Sequence, residues 1–446
     1  MMKPPARLAV GAAHAECGGH LTCWALLDAL RQRGLKVQHF YARACFTPVN
    51  GALAATGLSS RHLDSWLMPP EICRELFQHS SGDCDCAVVE GRYRGALADS
   101  HPASLEALCE WLDLARLAVL DVTQLCGCRL PSRPQADALL LEGLASEAEL
   151  LRVQTSLESL WGLPVLGGLP RLPAIEAAVR ACPRGTAPPQ HLCRELGERF
   201  LAYSRLDAIL RLAERPPLPE AHAGLFRTAS PQPALVVAVA FDDAFNCYFP
   251  DVLDLLEVRG VRVRDFSPLR DEALPPETDL VYLGCGHPER YAERLARNVC
   301  LREALRKHVR AGGRVYAEGG GLAYLCQELV DENGRPYPMA GIFPAAAALG
   351  TSPQPPQPVE LTLAVFNWLG PAGTTLRGYR NCNWQIRPLK ALHGQIKEHG
   401  HAHDLIARYN ALGSRVHLNF AALPEVFSRL IQPQRPGSLA VSLHPG

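Results

Sequence analysis

Two stretches of this chain carry residue types and spacings that could do chemistry. Arg314-Val-Tyr-Ala-Glu-Gly-Gly-Gly-Leu-Ala-Tyr-Leu-Cys326 reads as a short strand over Val315–Ala317, a tight turn over Gly319–Gly321 and a helix opening at Leu322. In α/β proteins such an elbow holds a Ser or Cys nucleophile at its tip, with backbone N–H groups beside it to stabilise an oxyanion. Here the tip is Gly319, which has no side chain. His417, in the middle of the apolar run Arg415–Phe420, is the residue type that would act as base to a thiol. Two cysteines lie near enough to consider as substitutes. Cys326 stands about two helical turns beyond the tip, too far to serve. Cys285 is the stronger, because the Gly284-Cys285-Gly286 loop after the strand Leu280–Leu283 is expected across from the elbow.

The second stretch is Gly11-Ala-Ala-His-Ala-Glu-Cys-Gly-Gly-His20, between the strand Leu8–Val10 and a helix over Leu21–Gln32. A β–loop–α unit of this kind can cradle phosphate at the helix N-terminus. A phosphate loop needs a Lys for the β/γ-phosphates and a hydroxyl for Mg²⁺. The positions that would supply them read Gly18-Gly19-His20, and Glu16 adds a charge that repels polyphosphate. Glu90, at the end of the strand Asp83–Glu90, sits where a Mg²⁺-linked carboxylate belongs, or else it only caps the neighbouring loop. His14, Cys17, His20 and Cys45 are soft donors that would make a metal or haem-iron site only if the fold brought them together. His399-Gly-His-Ala-His403 reads as a solvated loop, with adventitious metal binding as the other reading.

The elements that must position these residues alternate. Strands at Leu8–Val10, Lys36–Phe40, Asp83–Glu90, Leu117–Asp121, Ala138–Leu141 and Leu163–Gly167 are interleaved with helical segments such as Ser146–Leu160. After the proline-rich stretch 215–233 the alternation resumes: strand Leu235–Ala240, helix Val252–Arg259, strands Val261–Phe266 and Leu280–Leu283, helix Leu301–Arg310, and the elbow. This pattern predicts two α/β domains, 1–214 and 234–446, each a mostly parallel, doubly wound sheet with helices on both faces. The 446 residues suit two cores of roughly 200 residues each. Lys plus Arg and Asp plus Glu balance at 45 each, so there is no basic field for nucleic acid or an anionic membrane. No apolar run reaches membrane-span length and no signal-peptide core opens the chain, which predicts a cytoplasmic protein. The 16 cysteines show no C-x-x-C pair, so they read as buried small hydrophobes and not as a zinc ribbon.

The second half resembles the cobyrinate/hydrogenobyrinate a,c-diamide synthases. Phe241-Asp-Asp-Ala-Phe-Asn-Cys-Tyr-Phe-Pro250, Tyr282-Leu-Gly-Cys-Gly-His-Pro-Glu289, Tyr316–Leu325 and Val416-His-Leu-Asn-Phe420 carry the likeness. Ala54-Ala-Thr-Gly57, Leu63-Asp-Ser-Trp66, Val88-Val-Glu-Gly91 and Val165-Leu-Gly-Gly-Leu-Pro170 extend it through the first half. The resemblance implies an N-terminal domain like dethiobiotin synthetase, which binds ATP and Mg²⁺ and activates two corrinoid carboxylates. It implies a C-terminal class I glutamine amidotransferase domain in which a Cys thiolate with a His partner releases ammonia. On that pattern His417 matches the glutaminase histidine, and Gly284 and Gly286 match the glycine-rich loop that also holds Cys285. Glu90 matches the acidic Mg²⁺ residue, and Asn246 and Tyr248 match positions near the substrate face.

Four family motifs fail while the framework between them persists. The family's Ala-Glu-Cys-Gly-Gly reads Ala317-Glu-Gly319-Gly-Gly, and its Gly-Lys-Thr reads Gly18-Gly19-His20. Its Phe-Lys-x-Gly-Pro-Asp reads Phe40–Cys45, and its Arg-Gly-His-Glu-Phe-His-Tyr-Ser reads Arg377–Trp384. The expectation is a diverged homologue that has lost ATP and Mg²⁺ use and glutaminase activity, with His417 a leftover that has no thiolate to activate. It would bind a tetrapyrrole or corrinoid, or pair with an intact paralogue or a second copy. An active ATP-dependent amidoligase using glutamine or ammonia is the alternative.

Overall fold

The computed structural model describes residues 4–14, 19–94, 101–125, 132–221, 223–227, 235–350, 354–389, 397–399 and 403–432. Two compact units divide the chain: Met1–Leu225 with Phe249–Asp251, and Phe226–Tyr248 with Val252–Gly446.

Seven strands form the sheet of the first unit: β1 (Ala6–Ala12), β2 (Val37–Tyr41), β3 (Arg61–His62), β4 (Cys86–Arg92), β5 (Ala115–Asp121), β6 (Ala138–Leu144) and β7 (Val165–Pro170). Their order is β3-β2-β4-β1-β5-β6-β7, parallel throughout. Continuous apolar runs make these strands, because a parallel strand is covered on both faces. Leu8, Val10, Val88 and Val119 share one buried cluster with Trp24 and Leu27 of the His20–Gln32 helix. The chain leaves β1 in one direction along the sheet and returns to its other side at β5. Ligands of open α/β sheets bind outside the carboxyl ends of strands at such a switch point. Gly19, Glu90 and Glu142 lie at those ends.

In the second unit β8 (Val236–Ala240), β9 (Phe245–Cys247), β10 (Arg262–Phe266), β11 (Leu280–Leu283), β12 (Cys285–Gly286) and β13 (Arg314–Glu318) lead to the elbow. Beyond it come β14 (Cys326–Val330), β15 (Pro336–Pro338), β16 (Phe343–Leu349), β17 (Gln357–Thr362), β18 (Thr375–Arg380) and β19 (Trp384–Pro388). The last are β20 (Lys397–His399), β21 (Leu405–Arg408), β22 (Ala411–Ser414) and β23 (Val416–His417). The main sheet runs β10-β8-β11-β13-β22-β21-β20, parallel from β10 to β22 and antiparallel after it. Both units are therefore α/β, with largely parallel sheets and helices on both faces.

The structure departs from the sequence pattern in three places. The helix after the elbow begins at Gly320, not Leu322. The run Arg415–Phe420 is no core strand: only Val416 and His417 are extended, and they join β18 in a small separate sheet. Ala411–Ser414 is the strand that lies in the main sheet, where a Cβ on Gly413 would come 2.4 Å from Leu322. The Ser414 hydroxyl then donates to Val416 O and accepts from Val416 N–H, turning the chain out of the sheet.

Candidate functional site

The elbow between β13 and the Gly320–Leu325 helix is tight. Gly319 has φ 49° and ψ −107°, which glycine adopts far more cheaply than a residue with a Cβ. Its N–H donates to Ser414 O at 2.8 Å, pinning the turn to β22. A Cβ at position 319 would stand 2.8 Å from Cys285 Sγ, 3.2 Å from Asn381 Nδ2 and 3.2 Å from His417 Cε1. The space above the elbow is already claimed by those three side chains.

Cys285 reaches it from β12, whose backbone pairs antiparallel with β9 so that Cys285 faces Cys247. Its thiol and the His417 ring meet over that same point and interact electrostatically. His417 Nδ1 lies 3.5 Å from Glu318 Oε2. Glu318 is held in turn: its Oε1 accepts from the Tyr316 hydroxyl at 2.7 Å and from Leu418 N–H at 3.3 Å. Cys285, His417 and Glu318 are 7%, 3% and 1% exposed, so water screens their interactions little. Burial pushes the His417 imidazolium down, but the adjoining Cys285 thiol and, after it, Glu318 outweigh this and hold the ring up at about 10. The Asn381 side-chain amide donates toward Cys285 Sγ at 3.8 Å.

The structure thus brings together Gly319, His417, Gly284, Cys285 and Gly286. The sulfur that stands beside His417 belongs to Cys285 of the glycine loop and not to the elbow. Tyr248 is 7% exposed, and its hydroxyl donates to Ala240 O and accepts from Gly284 N–H at 2.9 Å, so it braces the glycine loop. Asn246 is exposed on β9. Glu318 and Asn381 were not singled out from the sequence. Glu318 had a signal, an acidic residue directly before the elbow tip.

In the first unit, Gly18 and Cys17 lie outside the described residues. Gly19, at φ 63°, opens the helix, and its N–H donates to both oxygens of Glu142 at 3.3 and 3.2 Å. Thr22 Oγ1 donates to Glu142 Oε2 at 3.0 Å. The protein's own carboxylate therefore sits where a phosphate would meet the helix N-terminus. Glu142 has no local motif around it that could have revealed this.

Glu90 is paired with His20 Nδ1 and lies 3.0 Å from His39 Nε2. Burial would raise its carboxyl, but the His20 charge and the bonds from both rings outweigh it and hold Glu90 at about 2. Cys23, His39 and Glu90 form the one group among the described residues whose ligand atoms lie close enough to hold a metal. Burial pushes the Cys23 thiol well up, and the neighbouring Glu90 carboxylate adds to the shift. His14 accepts from Asp121 N–H at 3.3 Å and Cys45 is desolvated to about 12; with His20 on Glu90, they make no shared donor set. The His399–His403 run lies largely outside the described residues.

These residues do not fit Mg²⁺–ATP. The helix-start N–H and the nearby hydroxyl are taken by a carboxylate, and both Glu90 oxygens face imidazole nitrogens. A cleft of about 820 Å³ lined by Gly19, His20, Trp24, Glu142, Arg171 and Arg184 remains beside them.

Residues 236–422 match the model of the CobB/CobQ-like glutamine amidotransferase domain, the span that contains the whole Cys285–His417–Glu318 group. Among solved structures, a glutamine amidotransferase is similar at 18% identity and TM-score 0.33, covering 44% of this chain and 94% of its own. Over a longer span, cobyrinate a,c-diamide synthase of Syntrophotalea carbinolica is 30% identical, covering 84% of both chains. The same-named protein of Salmonella typhimurium is 32% identical over 353 residues, 75% of this chain and 76% of its own. Likeness of that degree, running through both units, places the chain in the cobyrinate a,c-diamide synthase family.

Proposed function

We propose that this chain binds a corrin-type or related tetrapyrrole carboxylate and does not activate it with ATP. The ligand class is supported by the relatives, which are named for cobyrinate amidation and align over most of both units. The loss of ATP use is carried by one observation: Glu142 seated on the Gly19 N–H. A phosphate brought to the same N–H would meet that carboxylate at contact distance. Two like charges about 4 Å apart near a protein surface repel by roughly 4 kcal/mol, which opposes binding where the family would need it to be strong.

Calorimetric titration of the full chain with Mg²⁺–ATP, with and without cobyrinate, tests this. The expected result is saturable heat for the tetrapyrrole and none for the nucleotide. Saturable nucleotide binding, with ATP consumed when cobyrinate and ammonia are supplied, would return the chain to the ATP-dependent amidoligases. No tetrapyrrole binding at all would remove the ligand assignment.

A further inference from the structure

The thiol, imidazole and carboxylate of the second unit are not used by the function proposed above. They are buried, adjoin one another and converge on one place. The elbow that should carry the nucleophile has no side chain, yet a sulfur stands over it, 2.8 Å from where the first side-chain carbon would be. The reason is the register of the sheet. β11 and β13 are parallel neighbours with Leu283 beside Ala317, so a side chain two residues past the end of β11 can reach the space above the end of β13. Gly319 is then a requirement: any Cβ there would press on the sulfur.

We propose that Cys285 is the nucleophile of this unit, supplied from the end of the neighbouring strand and not from the elbow, with His417 as its base and the primary carboxamide of glutamine as its substrate. The proton shared between Cys285 Sγ and His417 rests on the imidazole, and the sulfur attacks the carboxamide carbon, forming a C–S bond. The C–N bond breaks and the nitrogen leaves as ammonia, carrying the proton back from His417. Water then adds to the thioester, the C–S bond breaks, and glutamate and free thiol are returned. One glutamine and one water are consumed; no nucleotide, oxidant or reductant enters. Asn381 Nδ2, beside the sulfur, is the side-chain donor placed to meet the oxyanion. Glu318 is a positioning residue that fixes the imidazole and is itself fixed by Tyr316 and Leu418. The choice of glutamine rests on the amidotransferase match of residues 236–422, while the nucleophile rests on geometry alone.

The test uses the full chain under reducing conditions, without ATP or tetrapyrrole, so its outcome is independent of the titrations above. The protein is treated with 6-diazo-5-oxo-L-norleucine, a glutamine-shaped alkylating agent, and mapped by peptide mass spectrometry. Glutamate release from glutamine is measured in parallel. An adduct on Cys285 that excess glutamine prevents is expected, with glutamate release falling at least about 100-fold in Cys285→Ala. Cys247→Ser, opposite on β9, is expected to keep both signals. Glu318→Gln should shift the pH–rate profile with little change in KM. No adduct on Cys285 in the wild-type chain, or glutamate release that survives Cys285→Ala, would overturn the proposal. The labelling decides the matter even if a variant fails to fold.

Discussion

Cys285 and Gly319 divide between them what one elbow residue would do alone, and this makes their substitution effects strongly coupled. Gly319→Cys by itself would put a Cβ 2.8 Å from Cys285 Sγ at a positive φ. Overpacking and backbone strain together should cost about 1–3 kcal/mol in unfolding free energy, read by urea denaturation, with no gain in glutamate release. The double variant Gly319→Cys with Cys285→Gly relieves the clash and moves the sulfur to the elbow. It should recover most of that stability and release glutamate more than tenfold faster than Cys285→Ala. A double variant no more active than Cys285→Ala would show that the His417 geometry does not serve a sulfur in this space. Both residues stand out in the sequence, one as a gap and one as an oddity in a glycine loop. That they meet is a matter of strand adjacency, which no local pattern states.

At the scale of elements, the His20–Gln32 helix begins on an anion of the protein's own making. Glu142 comes from the end of β6, 123 residues from Gly19 in sequence, and supplies the negative charge that a helix N-terminus favours. Glu142→Gln keeps the size and removes the charge. It should lower the stability of the first unit by about 0.5–2 kcal/mol, measured by urea unfolding followed by circular dichroism. Unchanged stability would mean the carboxylate does not hold the helix start. The helix itself was legible because Trp24, Leu27 and Leu30 recur at helical spacing and are buried. Its cap was not, since the partner arrives from another strand. The same contrast separates β11, a plain apolar run, from β22, whose Ala-Leu-Gly-Ser carries too little pattern to be seen.

On the scale of the whole molecule, the two units have separate cores, one centred on β1 and the other on β13. Their responses to acid should therefore separate. His62, in the first unit, is 4% exposed beside the rings of Tyr41 and Phe46. Burial above all, then the charges of His39 and Arg61, push its imidazolium down to about 3. The ordinary value in an unfolded chain is about 6.5. Between the two, the unfolded chain binds a proton that the native one does not. Stability of the first unit should then fall as pH drops below 6.5, by about 1.4 kcal/mol per pH unit from this group, the slope fading near pH 3. Urea unfolding across that range should show the slope in wild type and a flatter one in His62→Phe. An identical slope in the variant would assign the acid sensitivity elsewhere. A chain that released ammonia without activating a carboxylate would need its product consumed by another protein. Co-purification with an intact paralogue, or a second copy of the chain, is the matching observation.

The sequence by itself determined the α/β architecture, because buried parallel strands must be continuous apolar runs and the helices between them must show a 3.6-residue period. It also determined the family, through short motifs whose order survives even where their chemistry does not. Tertiary structure alone decided what fills the gaps those motifs leave. Glu142 occupies the helix start and Cys285 the space over Gly319, each from a different strand. A missing side chain is visible in one dimension. The group that takes its space is set by which strand ends lie side by side, and strand order is fixed by packing across the sheet.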